Sequence, residues 1–273
     1  MGTPGNNSGN TMLVCDATNY IAMYCRASPG SLSGDCSRAL LRAANAALAM
    51  HPSYRVVVFA FDTPGPSWRE EVYPDWKGNR LERSSDIPGV SREVAAARRL
   101  LPENGYLAYA SPGFDGDDVV ATICERATSG GLRCVIWSGD SDFRQLLSDG
   151  QVSQLTKFRS NGGGREEEFL TAGGFREKHG FDPGSWPDYR TLCGKPGDGW
   201  GGADGIGDKK ASELVGTFKT VELVMEKFRN GQLEGLNKRQ VAGLESLDWT
   251  TGKTVMSLRT DAPLVPVGKC RSN

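Results

Sequence analysis

A chain of 273 residues, 38% apolar and 24% charged, suits one large domain, or a domain with a smaller appendage, around a sizeable core. A formal charge of −1 and an isoelectric point near 6.2 do not announce a nucleic-acid binder. No apolar run approaches the ~20 residues of a membrane span. Seven scattered cysteines without C-x-x-C spacing, and only two histidines, argue against zinc and for a reducing compartment.

The opening MGTPGNNSGN is polar and unlike a signal peptide, so residues 1–11 are expected to be flexible; Asn6 also fails the Ser/Thr requirement of a myristoylation motif. Met12–Cys15 and Val56–Phe61 are continuous apolar runs, as strands covered on both faces require. Between them, residues 37–50 place apolar side chains at helical spacing, closed by Pro52. Residues 91–101 predict a helix with Ser91 as N-cap and Pro102 beyond it. A strand at 106–109, a helix at 117–128 and a strand at 134–137 continue the alternation, which means a parallel sheet with right-handed crossovers. Beyond about residue 150 the pattern changes. Asn161–Gly164 reads as the tip of a small hairpin, and helices are expected at 171–180, 186–193, 207–216, 218–229 and 237–247. The fold class is α/β, with a mainly helical C-terminal part.

Seven aspartates fall where these strands and one helix begin or end: Asp16, Asp62, Asp115, Asp117, Asp118, Asp140 and Asp142. Sites in open parallel sheets lie beyond the carboxyl ends of the strands, so carboxylates from distant strands can converge there. Crowded like charges need a cation among them, and all-oxygen ligation suits Mg²⁺ or Mn²⁺. A lone Asp at a strand end is often a helix cap or loop residue. Capping accounts for one carboxylate of GFDGDD, not for three in four positions.

Two further segments bear on a partner. In Gly205-Ile206-Gly207-Asp208-Lys209-Lys210-Ala211 the glycines permit a tight turn, so N–H groups opening the next helix can face a phosphate. In SWREEVYPDWKGNR (67–80), Arg69, Lys77 and Arg80 alternate with Trp68, Tyr73 and Trp76. Basic groups interleaved with aromatics suit a frayed or single strand, whereas an ordinary amphipathic helix would turn Trp68 to the core.

Taken in order, these motifs resemble the 5′-nuclease (flap endonuclease) superfamily over residues 12 to 250, especially bacterial and phage 5′-exonucleases and the 5′-nuclease domain of DNA polymerase I. Asp16 and Asp62 match its first two strand-end acids, and Asp115, Asp117 and Asp118 its E-A-D-D. Asp140 and Asp142 match G-D-x-D, and Asp198 with Gly205–Ala211 its acid-plus-hairpin signature. The resemblance implies a PIN-like catalytic domain with a helical arch (12–185), a helix-hairpin-helix region (helix-three-turn-helix, 186–260) and a tail (261–273). It implies one Mg²⁺ or Mn²⁺ near Asp16, Asp62, Asp115, Asp117 and Asp118, and a second near Asp140, Asp142 and Asp198. Lys77 and Arg80 would stabilise charge on the phosphate. Arg69, Tyr73, Trp76, Gly205, Ile206, Gly207, Lys209 and Lys210 would contact DNA, with K⁺ at the hairpin. The partner would be DNA with 5′ flaps, ends or nicks, met by a monomer in the cytoplasm of a bacterium or a phage-infected cell, without membrane contact.

Two departures stand out. The bacterial branch usually reads G-D-x-x-D before the hairpin; here it is Gly194-Lys195-Pro196-Gly197-Asp198, so Lys195 replaces a carboxylate that helps hold the second ion. Its ammonium either supplies positive charge in place of an ion or leaves that site weak. Asp115 is shorter than the family's Glu but keeps its charge. The rival readings are a PIN-type ribonuclease, which the hairpin segment argues against, and a non-catalytic branched-DNA binder with a degenerate metal centre.

Overall fold

In the computed structural model, which describes residues 9–27, 35–78, 89–161 and 164–268, the chain opens with its central strand. β1 (Thr11–Asp16) is apolar on both faces because both are covered: Leu13 and Cys15 pack into one core, Val14 into another. The chain then runs through α1 (Ala17–Ala27) and α2 (Asp35–Met50) to β2 (Tyr54–Phe61). α3 (Trp68–Val72) and α4 (Val90–Glu103) lead to β3 (Leu107–Ala110). From there α5 (Gly116–Ser129) carries it back across the sheet to β4 (Arg133–Trp137), β5 (Val152–Asn161) and β6 (Gly164–Leu170). The spatial order is β6-β5-β4-β1-β2-β3-β7, with β7 the short strand Val265–Pro266.

The inner five strands are parallel, and β6 and β7 pair antiparallel at the two edges. Chain order therefore reverses between β1 and β4. That reversal is the switch point at which a crevice opens beyond the strand ends. Ile21, Leu40, Ala97 and Leu101 seat α1, α2 and α4 on one core, and Val119, Val120 and Ile123 seat α5 on the other. Phe59 and Phe61, both wholly buried, contribute about 2–3 kcal/mol each through burial alone.

α6 (Ala172–His179), α7 (Trp186–Cys193), α8 (Asp208–Phe218), α9 (Val221–Arg229), α10 (Lys238–Ser246) and α11 (Trp249–Met256) complete the chain. Trp186, Leu192, Ile206, Leu214, Val224 and Leu244 give most of these helices a core of their own. Among the described residues no helix is long and apolar enough to cross a membrane.

The expected alternation is present, but α1, α11 and β7 are additions. α4 also starts earlier than expected. Gly89, at φ 92°, caps it in place of Ser91, and Pro102 lies inside its last turn, which Asn104 closes on Leu100.

Candidate functional site

Four carboxylates meet at the switch point, each placed by a different element. Asp16 is the last residue of β1, Asp62 follows β2, Asp117 lies in the first turn of α5, and Asp140 follows β4. Local donors orient three of them. Asp16 accepts from the Asn19 N–H at 3.1 Å and the Ser138 hydroxyl at 3.3 Å. Asp62 accepts the Gly116 N–H at 2.6 Å, and its own N–H donates to Thr18 at 3.0 Å. Asp140 accepts the Asp142 N–H at 3.0 Å, while Gln154 from β5 donates to the carbonyls of Ser138 and Asp140. A side chain at Gly116 would meet the Asp62 carboxylate at 3.0 Å, so the glycine is what lets α5 start this close to β2.

The electrostatics are those of excess negative charge. Burial, then Asp62 and Asp140, push the Asp16 carboxyl up to about 7, against the two hydrogen bonds it accepts. Asp117 is also raised well above the ordinary carboxylate range, by burial and then by Asp140 and Asp16, with Lys77 opposing. A hard divalent cation would relieve this strain, and the donor set is all oxygen. Among the described residues, no three such side chains already stand in ligating geometry. Asp16, Asp62 and Asp140 are turned onto protein donors, so ligation would take side-chain rotation or bridging waters, which Mg²⁺ readily keeps.

Asp118, one residue along, has a different role. Adjacent helical residues point about 100° apart, and Asp118 points away from the crevice to wholly buried ground. Arg69 grips it at 2.7 and 2.8 Å, the Trp68 indole donates at 2.9 Å, and the Arg259 N–H at 2.9 Å. The expectation that Asp118 helps hold a metal is therefore corrected: its oxygens are committed to protein donors.

Arg69 is likewise no DNA contact. It is 3% exposed and spends all five N–H donors internally, on Asp115, twice on Asp118, and on the carbonyls of Val255 and Ser257. Asp115, the N-cap of α5, is shared between Arg69 at 2.6 Å and Lys77 at 2.9 Å. Burial would raise its carboxyl, but Lys77 and Arg69 prevail and hold it below the ordinary range.

Lys77 takes an uncommon left-handed backbone, φ 57°, and its N–H donates to the Asp198 carbonyl at 2.8 Å. Gly199 makes this docking possible, since a Cβ there would lie 2.5 Å from the Asp75 carbonyl. Trp76, 3% exposed, packs with Trp200, Val255 and Met256, and Tyr73 meets Trp200 edge-on. Trp76 stands in a core where base stacking was expected, and half-buried Tyr73 packs against that core. Arg80 lies outside the described residues.

The neighbouring acids carry a built-in cation. Asp142 and Asp198 both pair with the Lys195 ammonium, Asp198 at 2.5 Å. Burial disfavours the ammonium, but Asp142, Asp140 and Asp198 outweigh it and raise its pKa. The second ion expected here does not fit this arrangement, because Lys195 occupies the space between its ligands.

At the predicted hairpin, Gly205 turns at φ 79° and α8 opens with Asp208, Lys209 and Lys210. Lys209 is exposed, whereas Lys210 pairs with Glu213 at 2.8 Å. Ile206, expected at the DNA, is 3% exposed and anchors the turn in the helical core. Asp204 is held by Arg239, and the Gly205 carbonyl accepts from Gln240.

The chain as a whole has known relatives. The profile of the 5′-3′ exonuclease N-terminal resolvase-like domain matches residues 11–180, well over half of the chain. The chain belongs to this family. A thermostable DNA polymerase I from Thermus filiformis is 31% identical over 239 residues, 88% of this chain and 26% of the polymerase. That of Thermus thermophilus is 33% identical over 218 residues, 80% and 24% respectively. The chain thus spans about a quarter of the polymerases it matches. Among solved structures, a T5 5′-exonuclease with zinc bound superposes with a TM-score of 0.74 at 19% identity, over 92% of this chain and 90% of that one. At that identity the likeness concerns the fold.

Several residues of this exonuclease-family site had no mark in the sequence. Thr18, Asn19, Ser138 and Gln154 orient the carboxylates, and Arg259 closes on Asp118 from the far end of the chain. Ser138 and Asn19 lie two or three residues from a site aspartate and could have been found by proximity. Gln154 and Arg259 could not, because only the sheet and the C-terminal segment bring them in.

Proposed function

We propose that the chain is a structure-specific 5′-nuclease that hydrolyses DNA phosphodiester bonds at 5′ flaps, 5′ ends or nicks and leaves 5′-phosphates. The observation that supports this reading above all is the convergence of Asp16, Asp62, Asp117 and Asp140 at the switch point, in a chain of the 5′-3′ exonuclease family. A Mg²⁺ or Mn²⁺ ion held by these four would acidify a water and neutralise the scissile phosphate.

The chain's own residues supply the rest. Lys77, held over Asp115 by its left-handed backbone, offers an ammonium that can pass from Asp115 to an incoming phosphate oxygen. Arg69 and Asp118 fix the start of α5 and so the aim of Asp117. Lys209 and the N–H groups opening α8 would hold duplex phosphates away from the cut, a contact that positions without reading sequence. The family's K⁺ site would use carbonyls of the same turn.

The test is a 5′-labelled flap duplex and a matching blunt duplex incubated with Mg²⁺, Mn²⁺ or EDTA, using the unmodified chain and Asp140→Asn. Cutting at the flap junction is expected with metal and not with EDTA, and Asp140→Asn should bind without cutting. Tight binding without cutting by the unmodified chain would instead make it a branched-DNA binder.

A further inference from the structure

Lys195 stands where this fold family would place a second ion, and its surroundings are those of a fixed part rather than a surface side chain. Its ammonium lies between Asp142 and Asp198, whose side chains are 12% and 0% exposed, and is itself 14% exposed. The backbone leaves it little freedom. The Lys195 N–H donates to the Trp200 carbonyl at 2.7 Å, and the Asp198 N–H returns to the Lys195 carbonyl at 2.9 Å. Gly194, at φ 85°, sets the direction of the loop, since a Cβ there would come within 2.6 Å of the Gly201 carbonyl. Asp142 is equally tied down: its carbonyl accepts from Gln145, and its N–H caps onto Asp140.

An ammonium so placed does part of what an ion would do. It brings one positive charge and three donors to two buried carboxylates, which would otherwise repel each other. It also takes the oxygens that a divalent ion would need, and its charge opposes that ion's approach. Among the described residues no ammonium pairs directly with Asp16, Asp62, Asp117 or Asp140, although Lys77 acts on Asp117 from nearby.

We propose that Lys195 is a resident cation that replaces the second metal ion, so that the chain binds a single divalent ion, at the Asp16–Asp62–Asp117–Asp140 end of the crevice. This rests on the nuclease reading for its use, but the ion count does not depend on cleavage. With one ion, the positive charge at the Asp142–Asp198 end is fixed by the sequence and does not vary with metal concentration.

The experiment is a Mn²⁺ titration of the full chain without DNA, counting bound ions from the electron paramagnetic resonance signal of free Mn²⁺. One tight ion per chain is expected for the unmodified protein and for Lys195→Arg, and two for Lys195→Asp. In parallel, flap cleavage should depend on the first power of Mn²⁺ in the unmodified protein and approach the second power in Lys195→Asp. A count of two, or of none, in the unmodified protein overturns the proposal whether or not any variant folds. So does a folded Lys195→Asp that still binds one. One bound ion with no cutting of any flap would sink the nuclease reading and leave the cation assignment standing. Cutting with two ions bound would do the reverse.

Discussion

The two ends of one crevice handle the same problem differently. Around Asp142 and Asp198, and around Asp115 and Asp118, buried carboxylates are matched by Lys195, Lys77 and Arg69 from within the chain. Around Asp16, Asp62, Asp117 and Asp140 the hydrogen-bond donors among the described residues are neutral, Lys77 only partly offsets the charge on Asp117, and the Asp16 carboxyl is pushed up to about 7. A folded chain that matches charge so fully at one end has the means to do so at the other. On the proposed reading the unmatched end is where a cation from solution would act, while Lys195 and Arg69 serve the matched end as fixed parts of the fold.

The largest effect should come from the unmatched end. Asp117→Asn is expected to lower flap cleavage on the order of 10³-fold with little change in melting temperature, read from single-turnover rates and thermal melts. Arg69→Met should do the opposite and act on the fold. Leaving Asp118 buried without its partner should cost about 3–5 kcal/mol in urea unfolding, and a loss much under 1 kcal/mol would show that the pair is not structural.

A pH series separates the ends more finely. Asp16 has a folded pKa of about 7 against an ordinary 3.8, so its contribution is fully present below pH 3.8 and is lost as pH rises toward 7. In EDTA the melting temperature of the unmodified chain should therefore fall across that window more than that of Asp16→Asn. Saturating Mg²⁺ or Mn²⁺ should remove the difference at neutral pH. The smallest effect is expected far from the crevice. Lys209→Ala should weaken duplex binding modestly and reduce its salt dependence by about one counterion, with the single-turnover rate at saturation unchanged.

Much of this was legible in the sequence, for definite reasons. Both-face burial makes β1, β2 and β4 continuous apolar runs, so their carboxyl ends, and with them Asp16, Asp62 and Asp140, could be placed before any fold was known. The roles of neighbouring aspartates were not equally legible. Asp117 and Asp118 look alike in sequence, yet the helical turn sends one to the crevice and the other to Arg69. The partner Arg69 is 49 residues away, and its burial follows from the carbonyls of Val255 and Ser257.

The basic-aromatic pattern of 67–80 misled for a related reason. Spacing shows that Trp76 and Tyr73 can reach a common neighbour, but not that Trp200 and α11 fill that place. α11 itself escaped because WTTGKTVM has a glycine and β-branched residues where a helix former would be expected; Gly252 is there because a Cβ would strike the Trp200 ring at 2.3 Å.

The buried Arg69–Asp118 pair also bears on the order in which the molecule can fold. Asp118 receives an N–H from Arg259, and Arg69 gives to the carbonyls of Val255 and Ser257. These partners lie more than a hundred residues after β1, β2 and β4 in the sequence, so they are made after those strands. Until residues 255–259 dock, the start of α5 holds a buried ion pair with its remaining hydrogen bonds unmade, and α5 is the helix that carries Asp117. A chain truncated before residue 255 would keep β1 to β6 and yet lack these contacts at the start of α5, so it would leave Asp117 less firmly aimed.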